Sequence, residues 1–227
     1  ALERIGVGAA AAAGQAGGRA GGQTSGQADA RALLRLTLRH LFLVAVSLAL
    51  AVLVAVPAGL LLERLPRGAE GAIRGVGVVQ TIPGLALLAF MLPVLGIGTT
   101  PAVVALFLYS LYPIVRNTYT GVREADRPAI AAALAAGMTP AQTLRYVRLP
   151  LAAPVIMAGI RTAAVINVGT ATLAALIGAG GLGDPIIAGL ALADTRMVLS
   201  GAVPAALLAL AVDGVLGACE RAVRPEL

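Results

Sequence analysis

Long runs of apolar residues, separated by short polar segments, form the main pattern along this chain. A helix rises about 1.5 Å per residue, so about 20 apolar residues cross the ~30 Å hydrocarbon core of a bilayer. We therefore predict five membrane-spanning helices, at residues 41–62, 76–97, 102–115, 151–177 and 197–218. Pro83 and Pro93 interrupt the second run, and we expect that span to break at both. The fold class that follows is an all-α integral membrane protein.

The composition agrees with that interpretation. Hydrophobic residues make up 59% of the 227 and charged residues 12%, and the mean hydropathy is +0.91, far above that of soluble domains. The net charge of +6 does not indicate nucleic acid as a partner, because the arginines are scattered between apolar runs without a basic aromatic surface. A single cysteine, Cys219, and a single histidine, His40, exclude a disulfide framework and a cysteine or histidine metal site within one chain.

The first 30 residues differ from the rest. They are rich in Ala, Gly and Gln and poor in large apolar side chains, which favours a flexible tail over residues 1–30. A short apolar stretch after Arg4 leaves open the remnant of a targeting signal. Residues 31–220 then form one transmembrane domain, and residues 221–227 form a short second tail.

Arginines in the connecting segments predict the orientation in the membrane. They concentrate in segments 63–74, 116–148 and 221–227, which lie on one side if there are five spans. The positive-inside rule makes that side cytoplasmic, which puts the C-terminus inside and the N-terminus outside. Three arginines at the start of the first span go against the rule: Arg31, Arg35 and Arg39.

Residues 128–150 interrupt the apolar pattern between the third and fourth runs. Gly137 suits a left-handed turn that ends a short helix, and Thr139 with Gln142 forms the T-x-x-Q pattern of a capping box at the start of another. Pro150 marks where we expect the chain to enter the membrane. The segment therefore predicts two short helices, bent at a glycine, at the cytoplasmic surface.

Two roles fit this segment. It can be a surface that another protein grips, since it presents small and apolar groups. It can also be an amphipathic loop on the lipid headgroups, with Arg145 and Arg148 meeting phosphates. The residues themselves leave both roles open.

The same segment resembles the EAA motif of ABC importer permeases, E-A-A-x3-G-x9-I-x-L-P. The matching residues are Ala132, Ala133, Gly137, Val147 in the place of Ile, Leu149 and Pro150. The motif's glutamate position is Ala131, and in the family that acid supports the contact with the ATPase. Longer stretches, such as QTIPGLALLAF and NVGTATLAALIGAGGLGDPI, are similar to the osmoprotectant branch, which imports glycine betaine, carnitine, choline or proline. The resemblance covers roughly residues 37–215.

The resemblance implies a type I ABC importer permease fold in a bacterial inner membrane, with residues 31–220 as the permease domain. It also implies three protein partners: an ATP-binding cassette ATPase subunit, an extracytoplasmic solute-binding protein and a second permease chain, identical or not. The coupling residues that would contact the ATPase are Ala132, Ala133, Gly137, Met138, Thr139, Leu149 and Pro150.

The chain itself is not expected to be an enzyme. It contains no lysine, so it lacks the lysine of a phosphate-binding G-x-x-x-x-G-K-[ST] loop. We therefore expect no cofactor in this chain, with ATP and Mg²⁺ on the partner ATPase. The chain has no tryptophan and its few Tyr and Phe are scattered, so no aromatic cage is evident and solute selection is expected in the binding protein.

Polar side chains within the spans are candidates for the translocation pathway, because they are costly in lipid and tend to face the interior of a bundle. They are Gln80, Thr81, Asn167, Thr170 and Thr172. The alternative for each is a hydrogen bond to the backbone or to a neighbouring helix.

Further candidates lie near the ends of the fourth span. The stretch IGAGGLGDP predicts a bent re-entrant loop at the outer mouth, the alternative being an exposed turn. Asp184 in that stretch is a candidate contact for the binding protein, or a cap for a helix that begins at Pro185. Arg161, near the inner end, is expected to be a snorkelling anchor.

Two other kinds of transporter are compatible with parts of this pattern. One is an ABC importer for another small solute, such as an amino acid or another betaine. An ion-coupled secondary transporter fits less well, because Asp213 is the only acid within a predicted span and no internal repeat is evident.

Overall fold

The computed structural model describes residues 4–65 and 67–223, with side chains from residue 30 onward. These residues form helices and no strands, which confirms the predicted fold class. The α-helices are α1 Arg4–Glu63, α2 Ala69–Thr81, α3 Gly84–Leu95, α4 Thr99–Arg123, α5 Arg127–Ala135, α6 Pro140–Thr143, α7 Leu149–Ala171, α8 Gly183–Ala191 and α9 Thr195–Ala222. A π-helical turn, Leu144–Arg148, precedes α7, and a 3₁₀ turn, Thr172–Ile177, follows it. The tails predicted at 1–30 and 221–227 lie mostly outside the described side chains and stay predictions.

In the described part of the chain, four helices are long and apolar enough to cross a membrane. They are Ala30–Glu63, Thr99–Arg123, Pro140–Ile177 and Thr195–Ala222. The pair α2 and α3, which meet at 93°, counts as a fifth if it is taken as one broken span. The break falls at Pro83 as predicted, whereas the break expected at Pro93 is wrong. Pro93 lies in the last turn of α3, where its missing N–H removes only one helical hydrogen bond.

α4 is the centre of the fold and packs between α1 and α7. Its buried face contributes to both apolar clusters of the core. The helix ends at Arg123, past the end that hydropathy predicted at Val115. The prediction was too short because the sequence turns polar after Val115, whereas Thr118 and Tyr119 are buried in the structure.

α4 and α7 approach each other closely at a glycine. A Cβ atom at Gly159 of α7 would lie 2.6 Å from the Cβ of Asn117 and 2.8 Å from the carbonyl oxygen of Pro113, both in α4. A larger residue at this position would have to push the two helices apart. Small residues at such contacts are typical of helix packing in membranes.

The helix that begins at Pro140 differs from the prediction. α6, the π-helical turn, α7 and the 3₁₀ turn form one uninterrupted helix, Pro140–Ile177, so Pro150 lies inside it and does not start a new one. Proline lacks an N–H, and its ring crowds the carbonyl group four residues earlier. The π-helical turn, in which the Leu149 N–H donates to the Leu144 carbonyl, widens the helix just before Pro150 and accommodates the ring.

Candidate coupling segment and transport pathway

The turn between α5 and α6 carries the glycine that the sequence singled out. Gly137 has a φ of +84°, in the left-handed region. Its N–H donates to the Leu134 carbonyl at 3.0 Å, and the Met138 N–H donates to the Ala133 carbonyl at 3.1 Å, which is the Schellman arrangement at a helix end. A side chain at position 137 would strain the backbone, because only glycine adopts this conformation freely.

Thr139 starts the next helix with both halves of a capping box. Its N–H donates to Gln142 Oε1 at 2.8 Å, and the Gln142 N–H donates to Thr139 Oγ1 at 3.3 Å. Pro140 occupies the first turn, where its missing N–H costs no helical hydrogen bond. The capping box predicted from the T-x-x-Q pattern is therefore confirmed.

The coupling segment, residues 128–150, exposes apolar side chains. Leu134, Met138 and Tyr146 are 50%, 36% and 61% exposed. Exposed apolar side chains on short helices suit insertion into a groove of another protein. The other coupling positions are exposed Ala132, buried Ala133, half-buried Leu149 and exposed Pro150.

Arg148 fixes this segment to the membrane-spanning helices. Its guanidinium group donates to the Val122 carbonyl of α4, at 2.9 and 3.2 Å, and pairs with Glu63 at the end of α1. Both charged side chains are largely shielded from solvent, with exposures of 20% and 17%. Arg148 therefore bonds within the protein and is not the lipid contact that the sequence left open.

A cavity of about 380 Å³ opens at the bend between α2 and α3, and we call it the elbow cavity. Three predicted pathway residues line it: Gln80, Thr81 and Thr170. Tyr109 of α4 and Ile166 of α7 form further parts of its wall. The structure thus brings polar groups of α2 and α7 together against α4.

Tyr109, which was not among the candidates from the sequence, holds the bend in place. Its hydroxyl donates to the Ile82 carbonyl at 2.5 Å, and its own carbonyl accepts from Gln80 Nε2 at 2.9 Å. The two bonds satisfy the Ile82 carbonyl and the Gln80 amide near the break at Pro83. Lipid offers no hydrogen-bonding groups that could replace them. The sequence does carry a signal for this role of Tyr109: a tyrosine within an apolar run that follows a span broken by proline.

Asn167 and Thr172 lie apart from the elbow cavity. Asn167 is fully buried, and its Nδ2 donates to Ser110 Oγ of α4 at 2.7 Å and to Ser47 Oγ of α1 at 3.2 Å. The Thr172 hydroxyl donates to the Gly169 carbonyl at 2.7 Å. These contacts correspond to the alternative of bonds to helices or backbone that the sequence left open, and so do the bonds from the Thr81 and Thr170 hydroxyls to carbonyls of their own helices.

A second cavity, of about 450 Å³, lies further along α7, and we call it the arginine cavity. Arg161 Nε and Nη2 donate to the two carboxylate oxygens of Asp213 in α9, both at 2.6 Å, and Nη1 lies 3.3 Å from Glu220. Arg161, which the sequence suggested as a snorkelling anchor, therefore has two acids of α9 beside it. Ile166 of α7 lines both cavities.

The glycine-rich stretch after α7 is packed against the protein and is not an exposed turn. Ala179 is 1% exposed, and Arg39 of α1 donates to its carbonyl at 3.0 Å. α8 begins at Gly183 and has no side-chain cap, so the idea that Asp184 caps a helix beginning at Pro185 is wrong. Asp184 is exposed in the first turn of α8, where partial desolvation raises the pKa of its carboxyl group. Among the described residues, no cluster of His, Cys, Asp and Glu could hold a metal ion.

Several known proteins are similar in sequence to this chain over most of its length. The choline transport system permease protein OpuBB of Bacillus subtilis (strain 168) is 50% identical, over 83% of this chain and 87% of the relative. The glycine betaine/carnitine/choline transport system permease protein OpuCB of the same organism is 47% identical, over 82% and 86%. The osmoprotectant import permease protein OsmW of Salmonella typhimurium is 43% identical, over 84% and 91%.

The fold has a solved counterpart. A chain of the MetNI methionine ABC transporter, in an inward-facing conformation, matches with a TM-score of 0.75 and 25% identity, over 85% of this chain and 96% of that chain. This is the type I ABC permease fold that the resemblance implied. Residues 55–225 also match the family described as binding-protein-dependent transport system inner membrane component. Because that match covers most of the chain and the relatives agree over nearly their whole length, the chain belongs to this family of multi-pass membrane permeases.

Proposed function

We propose that this chain is the membrane-spanning subunit of an ABC importer for a compatible solute such as glycine betaine, carnitine, choline or proline. The observation that carries the proposal is the helix–turn–helix around Gly137 and Thr139, in a chain similar to osmoprotectant permeases over most of its length. A bacterial inner membrane, with the N-terminus outside and the C-terminus cytoplasmic, belongs to the same proposal.

The coupling segment would enter a groove of an ATP-binding cassette ATPase subunit, which binds ATP and Mg²⁺. Closure of the ATPase would then displace α5 and α6. Since Pro140–Ile177 is one helix, that displacement would reach Ile166 and Thr170 without a loop in between. The bonds from Arg148 to Glu63 and to the Val122 carbonyl would carry it to α1 and α4 as well.

The elbow cavity is the proposed place where the solute crosses. Gln80, Thr81 and Thr170 donate to backbone carbonyls, but their side-chain oxygens can still accept a hydrogen bond in the cavity. Ile166 lines both this cavity and the arginine cavity. A second permease chain, identical or different, would complete the wall of the elbow cavity. An extracytoplasmic solute-binding protein would deliver the solute at the end that carries Asp184.

Uptake of radiolabelled glycine betaine into proteoliposomes tests the proposal. The vesicles contain this chain with its candidate ATPase, and the binding protein is added outside, with ATP or a non-hydrolysable analogue inside. Accumulation that requires both ATP hydrolysis and the binding protein is the expected result. ATP hydrolysis stimulated by the binding protein without betaine uptake would point to another solute, and failure to assemble with an ATPase would overturn the coupling role.

An ion-coupled carrier has less support from the structure. Such a carrier needs a carboxylate in the membrane that gains and loses a proton or binds an ion. Asp213 instead accepts a hydrogen bond from the Arg161 guanidinium group at each of its two carboxylate oxygens. Uptake driven by an ion gradient without ATP, in the same vesicles, would favour the carrier.

A further inference from the structure

Three arginines follow one face of α1 at intervals of four residues, and the transport role leaves them unexplained. They are Arg31, Arg35 and Arg39. The Arg39 guanidinium group donates to the Ala179 carbonyl, in the connection before α8, and to the Thr99 hydroxyl, at the start of α4. Arg39 therefore lies level with the ends of the other helices. The span continues beyond Arg39 to Ala30, a distance of about 13 Å along the helix axis.

Exposed leucines accompany the arginines along this extension of α1. Leu34 and Leu38 are 59% and 58% exposed, and they continue the exposed apolar stripe of Leu41 and Phe42. The apolar surface of the helix therefore extends past the level of Arg39. In a membrane-spanning helix such an apolar surface is covered by lipid. The arginines next to this surface therefore lie at the depth of the lipid headgroups.

An apolar groove lies on the other side of α1, between this extension and the first turns of α8 and α9. Its volume is about 740 Å³. Its apolar lining includes Leu33, Leu36, Pro185, Leu199, Val203 and Pro204. Ala30 and Ala32, the chain neighbours of Arg31, also line the groove. An amphipathic anion would therefore suit this end of α1, since the arginines fit a phosphate and the groove fits an acyl chain.

No acid among the described side chains neutralises the positive charge of Arg31 or Arg35. Among the described residues, neither forms a salt bridge. Asp194, at the start of α9, accepts from the N–H groups of Arg196 and Met197 and so serves as a helix cap. Two exposed guanidinium groups therefore remain available to an external anion.

We propose that this extension of α1 binds an anionic phospholipid, with the phosphate between Arg31 and Arg35 and one acyl chain in the groove. The binding is independent of the transported solute. Lipid binding also explains why arginines lie at the outer end of this span, where the positive-inside rule disfavours them. There they bind anionic lipids of the outer leaflet.

Native mass spectrometry of the full chain, titrated with phosphatidylglycerol or with phosphatidylcholine of the same acyl chains, tests the proposal. We expect phosphatidylglycerol to bind more tightly. In the double variant Arg31→Gln/Arg35→Gln its affinity should fall about thirtyfold, since each arginine near an anionic lipid contributes about a five- to sixfold effect. The matched control Arg64→Gln/Arg67→Gln removes two arginines at the opposite end and should keep the tight site.

The groove is tested separately. Val203→Trp fills it and leaves the arginines intact, so phosphatidylglycerol should bind more weakly although the Tm in phosphatidylcholine stays at the wild-type value. Equal affinity for the two lipids, or unchanged phosphatidylglycerol binding in the arginine double variant, would overturn the proposal. Loss of binding-protein stimulation in that variant with unchanged lipid affinity would also overturn it, and would assign the arginines to a protein partner.

Discussion

Arg161 of α7 and Asp213 of α9 are joined by two parallel hydrogen bonds of 2.6 Å, from Nε and Nη2 to the two carboxylate oxygens. A bidentate pair of this kind is directional as well as strong. Both residues line the arginine cavity, next to Ile166. The pair therefore fixes how α9 is rotated against the helix that carries the coupling segment.

Breaking this pair on one side should destabilise the protein more than removing both charges. Arg161→Gln leaves Asp213 and Glu220 facing each other, and Asp213→Asn leaves the guanidinium group without its bidentate partner. We expect the Tm in detergent to fall in each single variant and to recover partly in Arg161→Leu/Asp213→Leu. Single variants as stable as the wild type would mean that the pair does not hold α9.

A side chain at position 137 should uncouple transport from ATP hydrolysis. Gly137→Leu forces a residue with a Cβ into a φ of +84°, at a cost of about 1–2 kcal/mol, and so favours a different angle between α5 and α6. We expect the protein to reach the membrane with uptake reduced about tenfold, the equivalent of ~1.4 kcal/mol. The control is Gly71→Leu, at a helical glycine where an added Cβ would meet no atom within 4 Å. Wild-type uptake by Gly137→Leu would contradict the coupling role.

Asn167 and Thr170 should respond differently to substitution although both are polar residues of α7. Asn167→Ala removes the donor to Ser47 and Ser110 at a fully buried position, so the free energy of unfolding should fall by about 1–3 kcal/mol. Thr170→Val keeps the shape of a residue in the elbow cavity and should raise the KM for the solute at unchanged Tm. A raised KM at unchanged Tm in Asn167→Ala would instead put Asn167 in the pathway.

Ile166 should act as a barrier between the two cavities. Ile166→Ala shortens the one side chain that lines both, so loaded proteoliposomes should leak solute several times faster without ATP. Leu176→Ala is the control, because Leu176 is 49% exposed in the 3₁₀ turn and contributes to neither cavity. Equal leak rates in the two variants would exclude a barrier at Ile166.

The sequence predicted those features that depend on neighbouring residues. The apolar runs located the spans, since helix formation in lipid depends on local hydropathy. The turn at Gly137 and the capping box at Thr139 were also predictable, because the residues that form each lie within a few positions of one another. The break at Pro83 follows from the same local chemistry.

Contacts between distant residues were not predictable in this way. The partner of Arg161 lies in another helix, and without that helix a lone arginine in a span suggests a snorkelling anchor. The bond from Tyr109 to the Ile82 carbonyl depends on how α4 packs against the bend. The polar end of α4 was missed for a related reason, since its burial comes from neighbouring helices and not from its own hydropathy.

The uninterrupted helix Pro140–Ile177 also makes its two ends rotate together. Side-chain tips lie about 5–6 Å from a helix axis, so a twist of about 30° applied at α6 moves the side chains of Ile166 and Thr170 sideways by about 3 Å. That displacement is as long as a hydrogen bond. A modest torque at the cytoplasmic end is therefore enough to exchange the side chains that face the cavities, and α7 does not need to slide along its axis.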